Sequence, residues 1–225
     1  MEFTLLWAAL SAVVLAWVGL RLWPERVPEQ GFDRLLGAAV AGLVVGRLVA
    51  MLIQGINPLS SPGDILIVRG GVHTGAAAST FALALWWGNR TDPSGIDALA
   101  PAALLGLAGW HGGCLWRDAC LGSVSDLPWA WALDGSTVTR HPVEVYVALA
   151  LMLGAWGVSW LGWRPLLRAG SALAIASMVR LVTEPLRPSI TGGPLIWYAA
   201  GIAVGLALMI LGPTMARGDT SDLRP

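Results

Sequence analysis

The stretch MVRLVTEPLR, residues 178–187, follows the apolar run ALAIAS and decides what kind of protein this is. On a helix, Arg180, Glu184 and Arg187 stand at i, i+4 and i+7 and therefore share one face. Two arginines and a glutamate thus lie in sequence that is otherwise soluble in lipid. Ionisable residues inside a membrane segment are costly and usually mark a functional site. The stretch predicts a polar site within an apolar helix.

Composition places the whole chain in the membrane class. The chain has 225 residues, of which 56% are hydrophobic and 12% charged, and its mean hydropathy is +0.66. Soluble domains usually carry about 25% charged residues. The net charge is zero and every basic residue is arginine, so nothing indicates binding to nucleic acid. Cys114 and Cys120 lie six residues apart, which predicts neither a metal site nor a disulfide framework, and we expect no cofactor.

Seven apolar stretches approach the roughly 20 residues that a helix needs to cross a bilayer. No soluble domain and no internal repeat is visible, and the first stretch has the character of a retained anchor rather than a cleaved signal peptide. The sequence therefore predicts an all-α integral membrane protein, residues 1–225, folded as a single polytopic bundle. The predicted spans are approximately 4–20, 35–53, 71–87, 97–116, 142–163, 167–187 and 194–212.

The arginines predict the orientation of this bundle. With the N-terminus outside, eight arginines lie in inside segments and four in outside segments, a bias that favours N-out, C-in topology. The inside arginines are Arg21, Arg26, Arg34, Arg90, Arg164, Arg168, Arg217 and Arg224. The outside arginines are Arg69, Arg117, Arg140 and Arg187. Most of the unusual polar residues then face the outer leaflet.

Four polar blocks contain the candidate site residues. Arginine has a fixed fork of donors that suits phosphate, and a histidine near neutral pKa can move a proton. Together the blocks predict a pocket for a phosphate-bearing lipid headgroup. The first block is GRLVAMLIQGINPL with Arg47, and the second is RGGVHTGAAAS with His73. The third is GWHGGCLWRDACLGSVSDLPWAW with His111, followed by TVTRHPVEVYVAL with Arg140 and His141. The fourth is the opening stretch with Arg180, Glu184 and Arg187.

Each block also has a purely structural interpretation. Arg47 can snorkel to a headgroup, and His73 can bond a neighbouring carbonyl. The glycines around His111 suit close helix packing. Arg140 and His141 can be interfacial anchors before a helix that begins at a proline. Arg180 and Glu184 can form a buried structural ion pair.

From about residue 35 to 212 the sequence resembles the prolipoprotein diacylglyceryl transferase family of the bacterial inner membrane. The resemblance is carried in order by VVGRLVAML, NPL, RGG…HTGA, the stretch from the two cysteines to SDLPWAW, TRHPVEVYVALAL and VRLVTEPLR. The run of SDLPWAW, a short spacer and RHP is its most specific part. The resemblance implies seven spans with N-out, C-in topology, in agreement with the arginine bias.

The resemblance implies that the diacylglyceryl group moves from phosphatidylglycerol to the thiol of a lipobox cysteine in a prolipoprotein signal peptide. A thioether forms, glycerol phosphate leaves, and neither a cofactor nor a metal takes part. By position, His73 and His141 match family histidines, and Gly122 matches the glycine that closes the signature stretch. Arg180 with Glu184 matches the late arginine–glutamate pair, followed by Arg187.

The chain departs from the family pattern at several signature positions. The arginine that opens the signature is replaced by His111, or by Trp110 if the leading glycine is aligned. Cys114 stands in place of an asparagine, and Ala176 in place of a tyrosine before the late arginine. Ala119 stands in place of an acidic residue, unless Asp118 fills that position after a one-residue slip in the alignment. Two alternatives stay open. One is a homologue that binds anionic phospholipid and is catalytically silent or has an altered substrate. The other is a small transporter, although transporters usually show two related halves.

Overall fold

In a computed structural model, 71% of the chain is helical and seven α-helices lie among the described residues. The structure describes residues 4–60, 63, 71–116, 121–133, 135–188 and 193–218. The helices are α1 (Thr4–Leu22), α2 (Gly31–Ile53), α3 (Thr74–Gly88), α4 (Ser94–Gly112), α5 (Val143–Ser159), α6 (Leu167–Thr183) and α7 (Leu195–Gly218). Two 3₁₀ turns, Gly113–Trp116 and Glu184–Leu186, follow α4 and α6, and two short strands, β1 (Trp131–Ala132) and β2 (Thr139–Arg140), pair antiparallel between α4 and α5.

The chain forms two compact units. The first comprises Met1–Val27 and Asp97–Pro225, and the second Pro28–Ile96. Most of α4 and all of α1, α5, α6 and α7 belong to the first unit, whereas α2 and α3 belong to the second. The interpretation of residues 1–225 as one membrane domain stays a prediction.

Glycines let the helices of the first unit approach backbone to backbone. A Cβ on Gly19 of α1 would lie 2.8 Å from the Cα of Ala102 in α4, and one on Gly106 would lie 3.0 Å from the Cβ of Ala16. The N-terminal half of α4 thus lies beside the C-terminal half of α1, so the two helices run antiparallel. Small residues at such crossings are typical of helix packing in membranes.

Helices α6 and α7 pack in the same manner. Gly170 of α6 faces Gly205 of α7, where a Cβ on either residue would lie 2.6 Å from the other's carbonyl oxygen. Further along, Gly201 lies against Ser177. The antiparallel order brings the C-terminal end of α6, with Arg180, beside the N-terminal end of α7, with Tyr198.

The core of the first unit lies along one face of α5. Val147, Leu151, Ala155 and Val158 recur every three or four residues and are at most 1% exposed. They pack on residues of α4 and α6, namely Ala100, Leu104, Leu105, Ala108 and Ala172. Because this face turns inward, the first turn of α5 presents Glu144 to the interior of the unit.

The end of the first unit opposite Glu144 is closed by helix-terminus contacts. The Asp97 carboxylate accepts hydrogen bonds from the backbone N–H groups of Leu166 (2.7 Å) and Ala169 (2.9 Å) at the start of α6. The Arg168 guanidinium donates to the carbonyls of Ser159 and Leu161 at the end of α5. These bonds satisfy groups that a helix end leaves unpaired.

Helix α6 is shorter than the predicted span 167–187. It ends at Thr183, and a 3₁₀ turn continues from Glu184 to Leu186. Pro185 explains the difference, because proline has no N–H to donate to a carbonyl in the preceding turn of the helix. The expectation of one continuous helical face through Arg187 was therefore wrong. The three charged side chains nevertheless remain in contact.

The second unit is a helix pair. A Cβ on Gly42 of α2 would lie 2.8 Å from the carbonyl oxygen of Ala77 in α3, so these helices also cross closely. At one end, the fully buried Asn89 accepts a hydrogen bond from Arg34 Nη1 (2.7 Å) and donates one to the carbonyl of Leu85 (2.8 Å). This pair fixes the register of α2 against the loop after α3.

Two described helices are long and apolar enough to cross a membrane, Gly31–Ile53 and Leu195–Gly212, and Leu6–Leu22 and Val143–Ser159 are apolar but shorter. Each predicted span overlaps one of the seven described helices. Large apolar side chains face outward on several of them, for example Leu153 and Ile210, which are 74% and 71% exposed. Such faces suit lipid contact, and the crossing of all seven helices stays a prediction.

Candidate active site

A cluster of buried charges lies at one end of the first unit. We call it the charge cluster: His111, Glu144, Arg180, Glu184 and Arg187. Its side chains are between 6% and 22% exposed, and they come from α4, α5, α6 and the turn that follows α6. Two arginines and two glutamates cancel in charge, so the cluster is neutral when His111 is neutral. Buried charges of this kind persist only when they are paired.

Glu144 uses both of its carboxylate oxygens within the cluster. Oε2 lies 2.6 Å from His111 Nδ1, and Oε1 pairs with Arg187 Nη2. Val143 and Val147, one helical turn apart at the start of α5, are buried, which directs this part of the helix into the unit. The carboxylate therefore joins the end of α4 to the segment that follows α6.

Glu184 joins the two arginines of the cluster. Its Oε2 lies 3.6 Å from Arg180 Nη2 and 3.8 Å from Arg187 Nε, so both contacts are ion pairs rather than hydrogen bonds. Gly193 lies directly against this carboxylate with φ of +69°, where a Cβ would collide with Oε1. A glycine is thus required there both for its backbone conformation and for the space of Glu184.

Arg180 is oriented by a tyrosine from α7. Its Nε and Nη2 donate to the hydroxyl of Tyr198 at 3.2 Å and 2.9 Å, and that tyrosine is 5% exposed. Within the described part of the chain, Arg180 Nη1 is buried without a hydrogen-bond partner. A buried guanidinium with an unused donor suits an anionic oxygen.

The loop that begins at Gly122 and leads to α5 is held beside the charge cluster by backbone hydrogen bonds. Gly122 N–H donates to the His141 carbonyl (2.7 Å), and Ser123 N–H donates to the Leu186 carbonyl (2.7 Å), next to Arg187. A Cβ on Gly122 would collide with that Leu186 carbonyl and with Val143. The glycine therefore lets the loop lie flat on the end of the α6 segment.

Arg140 and His141 hold this loop in different ways. Arg140 Nη1 donates to the Gly122 carbonyl at 3.1 Å, which gives the guanidinium a structural contact. The His141 ring meets Tyr146 edge to face, with centroids 6.2 Å apart. Its Nδ1 is buried without a hydrogen-bond partner among the described residues. The His141 ring therefore packs on Tyr146 in the first turn of α5, the turn that also carries Glu144.

Two predicted site residues lie in the second unit. Arg47 is 2% exposed and its Nη1 donates to the Gly71 carbonyl at 3.1 Å, so its side chain does not snorkel outward. His73 is the N-cap of α3: its Nδ1 accepts from the N–H of Ala76 at 3.1 Å, and its own N–H donates to the Gly46 carbonyl at 3.0 Å. A cavity of about 230 Å³ beside it is lined by Ala50, Ile53, Gln54, Gly71, Val72 and His73.

The prolipoprotein diacylglyceryl transferase family model matches residues 3–216 of the chain. The chain belongs to this family. Curated relatives named phosphatidylglycerol–prolipoprotein diacylglyceryl transferase occur in Pseudomonas paraeruginosa, at 28% identity over 148 residues, and in Streptomyces coelicolor, at 29% over 181 residues. These alignments cover 63% and 74% of this chain and 56% and 53% of the relatives. The chain thus spans about half the length of the curated relatives it matches.

Seven of the nine predicted site residues lie in the first unit. They are His111, Arg180, Glu184 and Arg187 of the charge cluster, together with Gly122, Arg140 and His141. Arg47 and His73 form a second group in the second unit. The roles of all nine residues stay predictions, because the geometry alone assigns no reaction to them.

Sequence reasoning missed Glu144 and Tyr198. Glu144 lies within the quoted TRHPVEVYVAL block, where its polarity at the start of an apolar helix was an available signal. Tyr198 had no such signal, because its contact with Arg180 depends on how α7 packs on α6. Cys114 is disulfide-bonded, which the spacing did not predict, and Cys120 lies outside the described residues.

Proposed function

We propose that this chain is a phosphatidylglycerol–prolipoprotein diacylglyceryl transferase. The observation that carries the proposal is the charge cluster, in which Arg180 keeps a buried donor unused while Tyr198 and Glu184 fix its guanidinium. An arginine held in this way can bind the phosphate of the lipid headgroup. Family membership supports the same substrate class.

The proposed reaction joins a lipobox cysteine to the diacylglyceryl group. The thiol loses its proton and its sulfur attacks the glycerol carbon that bears the phosphate ester. That carbon–oxygen bond breaks, and glycerol phosphate leaves with the electron pair. Arg180 and Arg187 stabilise the departing phosphate through preorganised charge, and His73, His111 and His141 are the candidates for proton transfer.

We place the protein in the bacterial inner membrane as a multi-pass bundle, N-out and C-in, with seven spans. Within the first unit, the charge cluster lies at one helix end and Asp97 and Arg168 at the other. Arg26 and Arg168 stack on Trp163 at 4.6 Å and 3.8 Å from its ring centroid, which is typical of a membrane interface. Arginines at that end favour an inside position and leave the charge cluster outside.

A silent homologue that binds phosphatidylglycerol without turnover is the second candidate function. When the family signature is aligned on the two cysteines, His111 stands in place of a family arginine, and its Nδ1 is already paired with Glu144. A histidine lacks the permanent bidentate clamp of an arginine. This substitution favours retained lipid binding with weaker or absent chemistry.

The test uses the full chain in liposomes with phosphatidylglycerol and a lipobox peptide. Release of glycerol phosphate and the mass gain of the peptide are followed together. We expect both signals, and we expect Arg180→Ala to lower both rates about 100-fold or more, because one charge-stabilising donor is lost. Arg90→Ala, which removes an exposed arginine stacked on Trp87, is the matched control and should keep the rate.

Two results would contradict the proposal. Absence of both products, with phosphatidylglycerol still co-purifying, would establish the silent homologue. An unchanged rate in Arg180→Ala would remove Arg180 from the phosphate site. Arg180→Lys keeps the charge and tests whether loss in the alanine variant reflects misfolding.

A further inference from the structure

The hydrogen bond between His111 and Glu144 fixes which nitrogen of the imidazole carries a proton. Glu144 Oε2 lies 2.6 Å from Nδ1, while Oε1 is occupied by Arg187, which can only donate. An ionised carboxylate accepts and cannot donate. His111 Nδ1 therefore carries the proton, and in the neutral ring Nε2 holds a lone pair.

His73 has the opposite arrangement. Its Nδ1 accepts from the backbone N–H of Ala76, a group that can only donate. The neutral ring therefore carries its proton on Nε2. In this tautomer Nε2 is a donor, and the nitrogen with the lone pair is committed to the cap of α3.

We propose that Glu144 is a positioning residue that makes His111 Nε2 the proton acceptor for the substrate thiol. The inference rests on the proposed function for its reaction step. In that step the thiol proton moves to Nε2, the sulfur–carbon bond forms, and the carbon–oxygen bond to phosphate breaks. Glu144 stabilises the imidazolium that results.

The pairing of Glu144 with Arg187 makes the substitution Glu144→Gln unusually informative. The amide oxygen of the glutamine must face Arg187, because two donors cannot face each other. The amide NH₂ then faces His111 Nδ1 and requires a lone pair there. The substitution should thus reverse the tautomer of His111 while it preserves the shape of the side chain.

The tautomers can be measured directly in protein labelled with ¹⁵N-histidine in lipid nanodiscs. The chain has three histidines, so His73→Asn, His111→Asn and His141→Asn assign the long-range ¹H–¹⁵N spectrum. We expect a proton on Nδ1 of His111 and on Nε2 of His73 at pH 7.5. In Glu144→Gln, we expect His111 to change to the Nε2–H form and the transfer rate to fall about 100-fold.

The controls separate positioning from general damage. Glu184→Gln removes one carboxylate from the same charge cluster without contact to His111 and should leave its tautomer unchanged. Glu144→Asp keeps the acceptor and should restore the Nδ1–H form and most of the rate lost in Glu144→Gln. The His73 signal should be the same in all these variants.

The inference is overturned if His111 carries its proton on Nε2, if it is doubly protonated at pH 7.5, or if Glu144→Gln leaves the tautomer unchanged. A reversed tautomer with an undiminished rate would equally remove His111 as the base. Failure of the proposed function is a separate result: the wild-type protein would then release no glycerol phosphate. In that case the spectrum still decides whether Glu144 sets the tautomer, and the acceptor role is refuted.

Discussion

His73 and His111 use the same ring nitrogen in opposite senses, and the two regions that hold them differ in the same way. His73 accepts from an N–H three residues further along the chain, and Arg47 beside it donates to a backbone carbonyl. His111 contacts a carboxylate 33 residues away, in a network of side-chain charges. One histidine is part of a helix end, and the other is part of a tertiary ion-pair network.

The difference indicates how each region responds to substitution. A helix N-cap is a local interaction that contributes about 1 kcal/mol to stability, and other residue types can supply it. A buried network of charges is cooperative, since removal of one member leaves the others without compensation. We therefore expect large, coupled effects in the charge cluster and small, separable effects at His73.

The largest effect is expected for Arg187→Met. The substitution leaves Glu144 with His111 alone and Glu184 with Arg180 alone, so the free energy of unfolding should fall by about 3–5 kcal/mol. Addition of Glu144→Gln should recover at least half of that loss, because the uncompensated carboxylate is removed. Equilibrium unfolding in mixed micelles measures both. Additive losses in the double variant would show that Glu144 and Arg187 are not coupled.

Removal of the Tyr198 hydroxyl should have the next largest effect. Tyr198→Phe keeps the ring between α6 and α7 but deprives Arg180 Nε and Nη2 of their acceptor, at a cost of about 1.5–3 kcal/mol. The same unfolding experiment measures the change, and the apparent KM for phosphatidylglycerol should rise. Trp197→Phe changes the neighbouring aromatic residue, which is 44% exposed, and is the control. Equal losses of stability in both variants would show that altered packing of α7, and not the missing hydroxyl, causes the change.

How far the sequence predicted this site depends on the range of the contacts involved. Arg180, Glu184 and Arg187 are separated by three or four residues, so their proximity followed from helical spacing even though Pro185 ends α6 early. The helices themselves followed from apolar length. Family resemblance then supplied Gly122, which the polar blocks alone did not select.

The contacts that the sequence did not predict all depend on tertiary packing. Glu144 meets His111 only because α5 turns its buried face toward α4, and Tyr198 meets Arg180 only because Gly170 and Gly205 bring α6 and α7 together. Neither residue belongs to a motif that marks its partner. Hydrophobic periodicity gives the buried face of a helix but not its register against a neighbour.

Substitution of Gly122 tests whether activity requires the loop that packs on the charge cluster. Gly122→Ala places a Cβ against the Leu186 carbonyl and Val143, so it should cost about 1–3 kcal/mol through overpacking and displace Arg187. Gly157→Ala is the matched control, since nothing lies within 4 Å of a Cβ there and alanine should stabilise α5 by about 1 kcal/mol. Transfer should fall in the first variant only. A fully active Gly122→Ala protein would show that the loop tolerates the shift.

Substitutions of His73 distinguish a structural role of this residue from a chemical one. They are expected to change the free energy of unfolding less than the substitutions above. His73→Ala removes the cap of α3 and should lower the free energy of unfolding by about 1 kcal/mol, whereas His73→Asn supplies another good cap and should be within about 0.5 kcal/mol of the wild type. If the Nε2–H of His73 binds substrate, both variants lose transfer to a similar degree, because asparagine cannot place a donor at the position of Nε2. If His73 is only a cap, activity follows stability and the asparagine variant is active. The ratio of the two rates therefore decides between a donor and a helix cap, and it does so independently of the tautomer of His111.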